Sequence, residues 1–226
     1  MSSPALLAVA HGSRDPAAAE VVRGLARQIR RLAPVLDVRV AFLDHAEPSL
    51  PSELTAAGAN TVIVPLLLSS GYHLAADIGG VARIGGARLA EPLGPDELLL
   101  TALTARLAEA EVPDGTPVVL AAAGSSDPLA AVDVRKQAEL LADRLGVPVV
   151  AAFATAAEPS VPAAVADLRE RTGKPVAVAS YLLAPGRFAD QLAESGGDWV
   201  TAPLGGHPAL AGLVIERYRR AMLAKG

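Results

Sequence analysis

The residues best suited to chemistry are imidazoles and a carboxylate that follow three short apolar segments in the first half of the chain. They are His11 after the first segment, Asp44 and His45 after the second, and His73 just beyond the third. Nitrogen and oxygen donors of this kind suit Fe(II), Co(II), Ni(II) or Zn(II). Two imidazoles and one carboxylate would leave coordination positions open on such an ion, as a catalytic or transfer site requires.

An internal repeat divides the chain into two halves. Three segments recur at offsets of 112, 111 and 111 residues, namely 10–16 with 122–128, 42–51 with 153–162, and 92–94 with 203–205. Nearly constant offsets over separate loops indicate a duplicated domain. We therefore predict an N-terminal half at 1–113 that carries the metal site, and a degenerate C-terminal repeat at 114–226.

The candidate ligands occur in only one copy of this repeat. Glycine, serine, aspartate and proline residues of the loops are shared. The candidate ligands change instead: His11 becomes Ala123, Asp44 becomes Thr155 and His45 becomes Ala156, and His73 becomes Phe188 if Gly71 is matched to Gly186. The loops are thus kept for their architecture in both halves. The N-terminal half is therefore predicted to carry the chemistry.

The elements that must position these residues alternate between strands and helices. Six short apolar segments are typical of strands in a parallel sheet covered on both faces: Leu6–Ala10, Val38–Leu43, Thr61–Leu67, Val118–Ala122, Val149–Phe153 and Val176–Ser180. Amphipathic helices are predicted at Ala17–Leu32 and Leu129–Leu145, each preceded by Asp-Pro as a start signal. The fold class is therefore α/β, with two doubly wound parallel-sheet halves that we expect to face a central cleft. Ligands of such sheets bind beyond the carboxyl ends of the strands, where the candidate residues lie.

Composition excludes several other kinds of protein. The chain has 226 residues, 51% of them hydrophobic, no cysteine and a formal net charge of −4. Disorder, disulfides, thiolate metal sites and a general attraction to nucleic acid are therefore not expected. With no signal-peptide pattern and no apolar stretch long enough to span a bilayer, we expect a cytoplasmic protein without a membrane partner. The duplication makes either a monomer or a homodimer compatible with the site.

Three ordered motifs resemble those of the class II chelatases, and more narrowly those of the sirohydrochlorin chelatases. They are Ala-His-Gly-Ser-Arg-Asp-Pro at 10–16, Phe-Leu-Asp-His-Ala-Glu-Pro-Ser-Leu at 42–50 and Gly-Tyr-His-Leu-Ala-Ala-Asp-Ile at 71–78. The resemblance covers nearly the whole length, since longer members of that family consist of two fused halves. It implies a lyase that inserts cobalt, iron or nickel into a tetrapyrrole for siroheme or cobalamin biosynthesis. The divalent metal would be a substrate, with no permanently bound cofactor.

The same resemblance implies roles for single residues. His11 and His73 match the two histidines that bind metal and accept a proton, and Asp44 matches an acidic residue that is Glu in many members. Because Asp is one methylene shorter, either His45 or Glu47 is a candidate to compensate. Glu47 recurs as Glu158 in the other half, which favours a loop-building role for it. The side chain of His45 is expected to point away from that of Asp44 if strand geometry continues.

A polycarboxylated tetrapyrrole would need local donors in a chain of negative net charge. Free N–H groups at the helix starts behind Gly12-Ser13 and Gly124-Ser125 favour anions, and arginines pair well with carboxylates. We predict substrate contacts for Gly12, Ser13, Arg14, Ser70, Gly71, Tyr72 and Arg187. Ser125 and Ser126 are expected to cap a helix, and His207 to stand at the entry of the last helix.

Two other functions use the same residues. A carrier that binds metal or tetrapyrrole without turnover needs the same open coordination, so the sequence does not separate it from an enzyme. A phosphate-binding α/β protein would also use Gly-Ser loops at helix starts. Against that class, the chain contains neither Gly-x-Gly-x-x-Gly nor Gly-x-x-x-x-Gly-Lys-Ser/Thr.

Overall fold

A computed structural model describes residues 3–70 and 78–224 of the chain. Within them lie two four-stranded parallel sheets. The first contains β1 (Ala5–Ala10), β2 (Val38–Phe42), β3 (Thr61–Pro65) and β4 (Arg88–Leu89) in the order β2-β1-β3-β4. The second contains β5 (Val118–Ala122), β6 (Val149–Phe153), β7 (Ala177–Tyr181) and β8 (Trp199–Val200) in the order β6-β5-β7-β8. The duplicated α/β class predicted from the sequence is confirmed.

Eight helices accompany these strands within the described residues. They are α1 (Pro16–Leu32), α2 (Leu50–Ala57), α3 (Gly79–Ile84), α4 (Glu97–Glu109), α5 (Pro128–Leu145), α6 (Val161–Thr172), α7 (Arg187–Ala193) and α8 (Pro208–Leu223). None of them is both long enough and apolar enough to cross a lipid bilayer. The central strands β1 and β5 are buried along their whole length, as the unbroken apolar segments predict.

Aspartate and proline start the first helix of each repeat. The Asp15 carboxylate accepts a hydrogen bond from the Ala17 N–H at 2.9 Å, and Asp127 accepts one from the Leu129 N–H at 2.9 Å. Proline occupies the first helical position in both cases, where no N–H is needed. The predicted start signals are confirmed. Each loop between strand and helix is thereby fixed at its helix end.

The compact units do not follow the boundary of the sequence repeat. One unit contains the described residues up to Leu93 together with those from Gly206 onward, and the other contains Gly94–Gly205. Helix α8 packs against α1, and α4 packs against α5 and β7. The last helix of each sequence repeat therefore belongs to the compact unit formed by the other repeat. Relative to the contiguous halves 1–113 and 114–226, α4 and α8 are exchanged.

Buried polar contacts explain this exchange. In the first unit the Arg217 side chain is only 4% exposed, and its guanidinium donates to the carbonyl of Pro92 at 2.7 Å and of Leu93 at 3.0 Å. In the second unit the buried Gln137 side chain accepts from the Asp96 N–H at 2.8 Å. A buried polar group left without such partners would cost about 1–3 kcal/mol. These bonds fasten each terminal helix to its unit.

Candidate functional site

The carboxyl ends of β1 and β2 place two of the predicted ligands side by side. The Leu43 N–H donates to the Ala10 carbonyl at 3.1 Å, and the Asp44 N–H donates to the His11 carbonyl at 2.9 Å. Parallel pairing thus continues past the last strand residues into the loops. His11 and Asp44 are consequently neighbours across the edge of the sheet, as their positions after successive strands predict.

Glycine allows these two loops to approach each other. Gly12 has a φ of +95°, and a Cβ added there would lie 1.8 Å from the Asp44 carbonyl oxygen. Gly124 in the second unit has a φ of +92° and would meet the Thr155 carbonyl oxygen at the same 1.8 Å. Only glycine fits either position. The loop architecture is thus the same in the two units, although only one carries the candidate ligands.

Asp44 and His45 form a close pair. The Asp44 Oδ1 accepts a hydrogen bond from the His45 backbone N–H at 2.8 Å, and the His45 Nε2 lies 3.3 Å from the Asp44 Oδ2. Both side chains reach solvent, with 62% of the Asp44 side chain and 36% of the His45 side chain exposed. The imidazole and the carboxylate therefore form a joint polar surface at the strand edge.

The expectation that His45 points away from Asp44 is wrong. His45 has a φ of 60°, in the left-handed region, so the alternation of a strand has already ended at this residue. Ala156 has the equivalent φ of 58° in the second unit. A signal for this turn was present in the sequence, because the shared Ala-Glu-Pro-Ser after both positions indicates a common loop conformation.

Glu47 has the loop-building role that the repeat indicates. Its Oε2 accepts a hydrogen bond from the Ser49 N–H at 2.9 Å. In the second unit Glu158 accepts from the Ser160 N–H at 3.0 Å in the same way. A carboxylate used identically in a loop without ligands is explained by the backbone that it braces.

The structure describes only some of the predicted substrate contacts. Ser13 Oγ accepts a hydrogen bond from the Asp15 N–H at 3.1 Å, within the loop that leads into α1. Arg14 is exposed beside it. Arg187 is the first residue of α7, with its guanidinium carbon 5.9 Å from the centre of the Phe188 ring. Ser70 is half-buried at the end of the described segment that follows β3.

Three predicted site residues, Gly71, Tyr72 and His73, lie outside the described residues. Within 3–70 and 78–224, no group of three or more His, Asp or Glu side chains is arranged to hold a metal ion. The described part of the site is therefore the edge formed by His11, Asp44 and His45. The metal set of His11, His73 and Asp44 stays a prediction.

The remaining described histidine is accounted for by helix capping. His207 precedes α8, and its Nδ1 accepts a hydrogen bond from the Ala209 N–H at 3.2 Å. The predicted helix-entry role is confirmed. The expectation that Ser125 and Ser126 cap a helix is wrong, because the N-cap of α5 is Asp127. Ser125 Oγ accepts from the Asp127 N–H at 3.1 Å, in the loop that leads into α5.

Comparison with known proteins gives the same family for both repeats. The CbiX family model matches residues 5–110 and again 117–221. A sirohydrochlorin ferrochelatase of Bacillus subtilis is 28% identical over 236 residues, which cover 95% of this chain and 90% of that protein. A sirohydrochlorin cobaltochelatase of Methanosarcina acetivorans is 34% identical over 124 residues, covering 46% of this chain and 95% of that protein.

Among solved structures, SirB from Bacillus subtilis with Fe³⁺ superposes with a TM-score of 0.83 at 26% identity, over 97% of this chain and 95% of that chain. A second structure, SirB from Bacillus subtilis subspecies spizizenii in complex with cobalt, has a TM-score of 0.81 at 24% identity. It covers 96% of this chain and 94% of that one. The duplicated architecture is thus shared over nearly the full length of both chains.

Proposed function

Because the chain belongs to the CbiX family, we propose that it is a sirohydrochlorin chelatase, a lyase that inserts cobalt or iron as the divalent ion into sirohydrochlorin. Nickel is a third metal to test. The ion is a substrate of the reaction, and we propose no permanently bound cofactor. The enzyme would act in the cytoplasm as a monomer or homodimer, without a nucleic-acid or membrane partner.

Among the residues of the site, one observation supports this proposal. His11 and Asp44 meet at the strand edge through a 2.9 Å backbone hydrogen bond, while the same edge of the second unit presents Ala123 and Thr155. Since the loop geometry is equal in both units, architecture alone does not require the imidazole or the carboxylate. Metal chemistry in the first unit accounts for both.

Metal insertion sets two tasks for the site. The ion must exchange its water ligands for nitrogen, and the tetrapyrrole must lose two pyrrole N–H protons. A neutral imidazole with a pKa of about 6.5 can bind a metal or accept a proton near pH 7. We assign His11 and His73 to the ion, with one of the two imidazole nitrogens taking up a pyrrole proton. Asp44 supplies a carboxylate oxygen to the ion.

The carboxylates of the tetrapyrrole need positive partners. Helix α1 begins behind Gly12 and Ser13, and the positive end of its helix dipole attracts anions. Arg14 stands exposed at the same loop, and Arg187 is exposed at the start of α7. An arginine can pair with a carboxylate through two parallel hydrogen bonds. We assign these residues, with Ser70, Gly71 and Tyr72, to substrate binding.

Absorbance-monitored metal insertion tests the function directly. Sirohydrochlorin is mixed with Co(II), anaerobic Fe(II) or Ni(II) and with protein at one-hundredth of the substrate concentration. Many turnovers above the protein-free rate support a chelatase. They should disappear in Asp44→Ala and persist in the matched second-unit variant Thr155→Ser, which keeps the hydroxyl that donates to the Ala123 carbonyl. Tight stoichiometric binding without turnover would instead identify a carrier.

A further inference from the structure

We propose that His45 is an additional metal ligand, and that Asp44 and His45 together form a two-atom chelate for the incoming ion. The inference rests on the proposed function, since it names how that site captures its metal. It concerns a side chain that the repeat shows to be unnecessary for the loop. The Asp44–His45 pair denotes these two adjacent side chains below.

The spacing of the two donor atoms fits one divalent ion. The His45 Nε2 and the Asp44 Oδ2 are 3.3 Å apart. With metal–nitrogen and metal–oxygen bonds of about 2.1 Å, two donors at that separation subtend an angle of about 104° at the metal, close to the tetrahedral value of about 109°. An octahedral ion, with an angle of about 90°, would need the atoms about 3.0 Å apart. Either geometry requires a shift of a few tenths of an ångström at most.

A backbone hydrogen bond orients the Asp44 carboxylate toward the His45 imidazole. The His45 N–H holds Oδ1 of Asp44 at 2.8 Å, which leaves Oδ2 as the oxygen that faces the imidazole. The 3.3 Å contact is longer than the roughly 2.7–2.9 Å of a direct charge-assisted N–H···O bond. With 62% and 36% of the two side chains exposed, an ion arriving from solvent can reach both donor atoms.

The second unit shows that the turn itself does not need a histidine. Ala156 adopts a φ of 58° where His45 adopts 60°. An alanine therefore suffices for the left-handed conformation, and the residue before it is Thr155 rather than an aspartate. The imidazole and the carboxylate are replaced together. This joint loss is expected of two donors that serve one ion.

The short side chain of Asp44 explains why a second donor on the same loop would be useful. An aspartate side chain is one methylene shorter than a glutamate side chain, so the Asp44 carboxylate alone reaches less far from the loop. An imidazole on the next residue extends the donor set of the same loop toward solvent. The alternative is that His45 only orients the Asp44 carboxylate without touching the ion. The two roles differ in the number of imidazoles bound to the metal.

Co(II) bound in the absence of tetrapyrrole distinguishes these roles. Each imidazole on Co(II) gives a hyperfine-shifted, solvent-exchangeable N–H proton resonance, so NMR counts the ligating histidines. Wild type is expected to show one imidazole resonance more than His45→Ala or His45→Asn, and both variants should bind Co(II) at least tenfold more weakly. Asp44→Glu in the His45→Ala background should restore most of that affinity without restoring the lost resonance.

Both variants are chosen to keep the loop intact. His45→Ala reproduces the residue that the second unit places at the same φ, and His45→Asn retains a side chain that tolerates the left-handed region and can donate a hydrogen bond. An unchanged number of imidazole resonances in both variants would overturn the proposal. A wild-type protein that bound Co(II) but never inserted it would refute the chelatase function and leave the count valid.

Discussion

The two units contain the same loop with and without the proposed metal ligands. Backbone features recur in pairs: φ of +95° and +92° at Gly12 and Gly124, φ of 60° and 58° at His45 and Ala156, and a carboxylate on a backbone N–H at Glu47 and Glu158. The candidate ligand side chains do not recur. The comparison teaches that glycine, glutamate and proline specify this strand edge, while the histidines and the aspartate are additions to it.

An arginine under each loop strengthens this comparison. The Arg23 guanidinium lies 5.9 Å from the Phe42 ring and donates to the Glu47 carbonyl at 3.2 Å. In the second unit Arg135 stacks on Phe153 at the same 5.9 Å and donates to the Glu158 carbonyl at 3.3 Å. Cation–π contacts of this kind contribute about 0.5–1 kcal/mol at exposed sites. The support of the loop is therefore independent of the candidate ligands.

The largest expected effect is the loss of metal insertion in His11→Ala. If one imidazole binds the ion or accepts a proton, its removal should lower kcat/KM for insertion by about 10³-fold. Stability should fall by no more than about 1 kcal/mol, because Ala123 occupies the same loop position of the second unit. Steady-state insertion assays and urea unfolding measure the two quantities.

The matched control is Ala123→Ser in the second unit, which should change insertion by less than twofold. Equal losses of activity in the two variants would mean that both units take part in the chemistry, which would contradict the difference proposed between them.

Gly12→Ala and Gly124→Ala should disturb their loops equally. In each case the new Cβ would lie 1.8 Å from a carbonyl oxygen at a positive φ, so we expect a stability loss of more than about 2 kcal/mol. Insertion per folded molecule should fall only in Gly12→Ala, since the Gly124 loop carries no ligands. Urea unfolding combined with insertion assays tests both statements. A Gly12→Ala protein as stable as wild type would contradict the close approach of the loops.

Glu47→Ala sharpens the difference between a loop residue and a ligand. It removes the bond to the Ser49 N–H, and we expect a loss of about 1 kcal/mol in the free energy of unfolding, as for Glu158→Ala. Co(II) affinity should change less than threefold. If Co(II) binding fell by tenfold or more in Glu47→Ala alone, Glu47 would have to join the metal donors.

The sequence predicts the scaffold well because its signals are local. Unbroken apolar segments identify six strands, and Asp-Pro pairs identify the starts of α1 and α5. The two-residue strands Arg88–Leu89 and Trp199–Val200 were not predicted, since two residues are too few for any hydrophobic period. The exchange of α4 and α8 was also missed. It depends on contacts such as Arg217 with the carbonyl of Pro92, which are distant in the sequence.

The sequence predicts the site only in part, again where its signals are local. The positions of His11 and Asp44 follow from the ends of neighbouring parallel strands, which a sequence pattern reveals. The direction of the His45 side chain depends instead on one backbone angle, the φ of 60°. Residue type does not determine that angle, because alanine adopts it in the second unit.

The smallest expected effect concerns an ion pair that only the second unit has. The Asp198 carboxylate accepts from the Arg169 guanidinium at 2.7 Å and from the Val176 N–H at 2.8 Å, and these bonds lower the pKa of Asp198. The position before β4 in the first unit is Ala87.

A carboxyl whose pKa is lowered in the folded state stabilises the protein at pH values above its unfolded pKa of about 3.9. This contribution is lost as the pH falls through the folded pKa. Asp198→Asn should therefore cost about 0.2–1 kcal/mol at pH 7 and progressively less below pH about 4. Urea unfolding of both proteins between pH 7 and pH 3 measures the difference, and a constant gap across that range would show that the carboxylate charge is not its source.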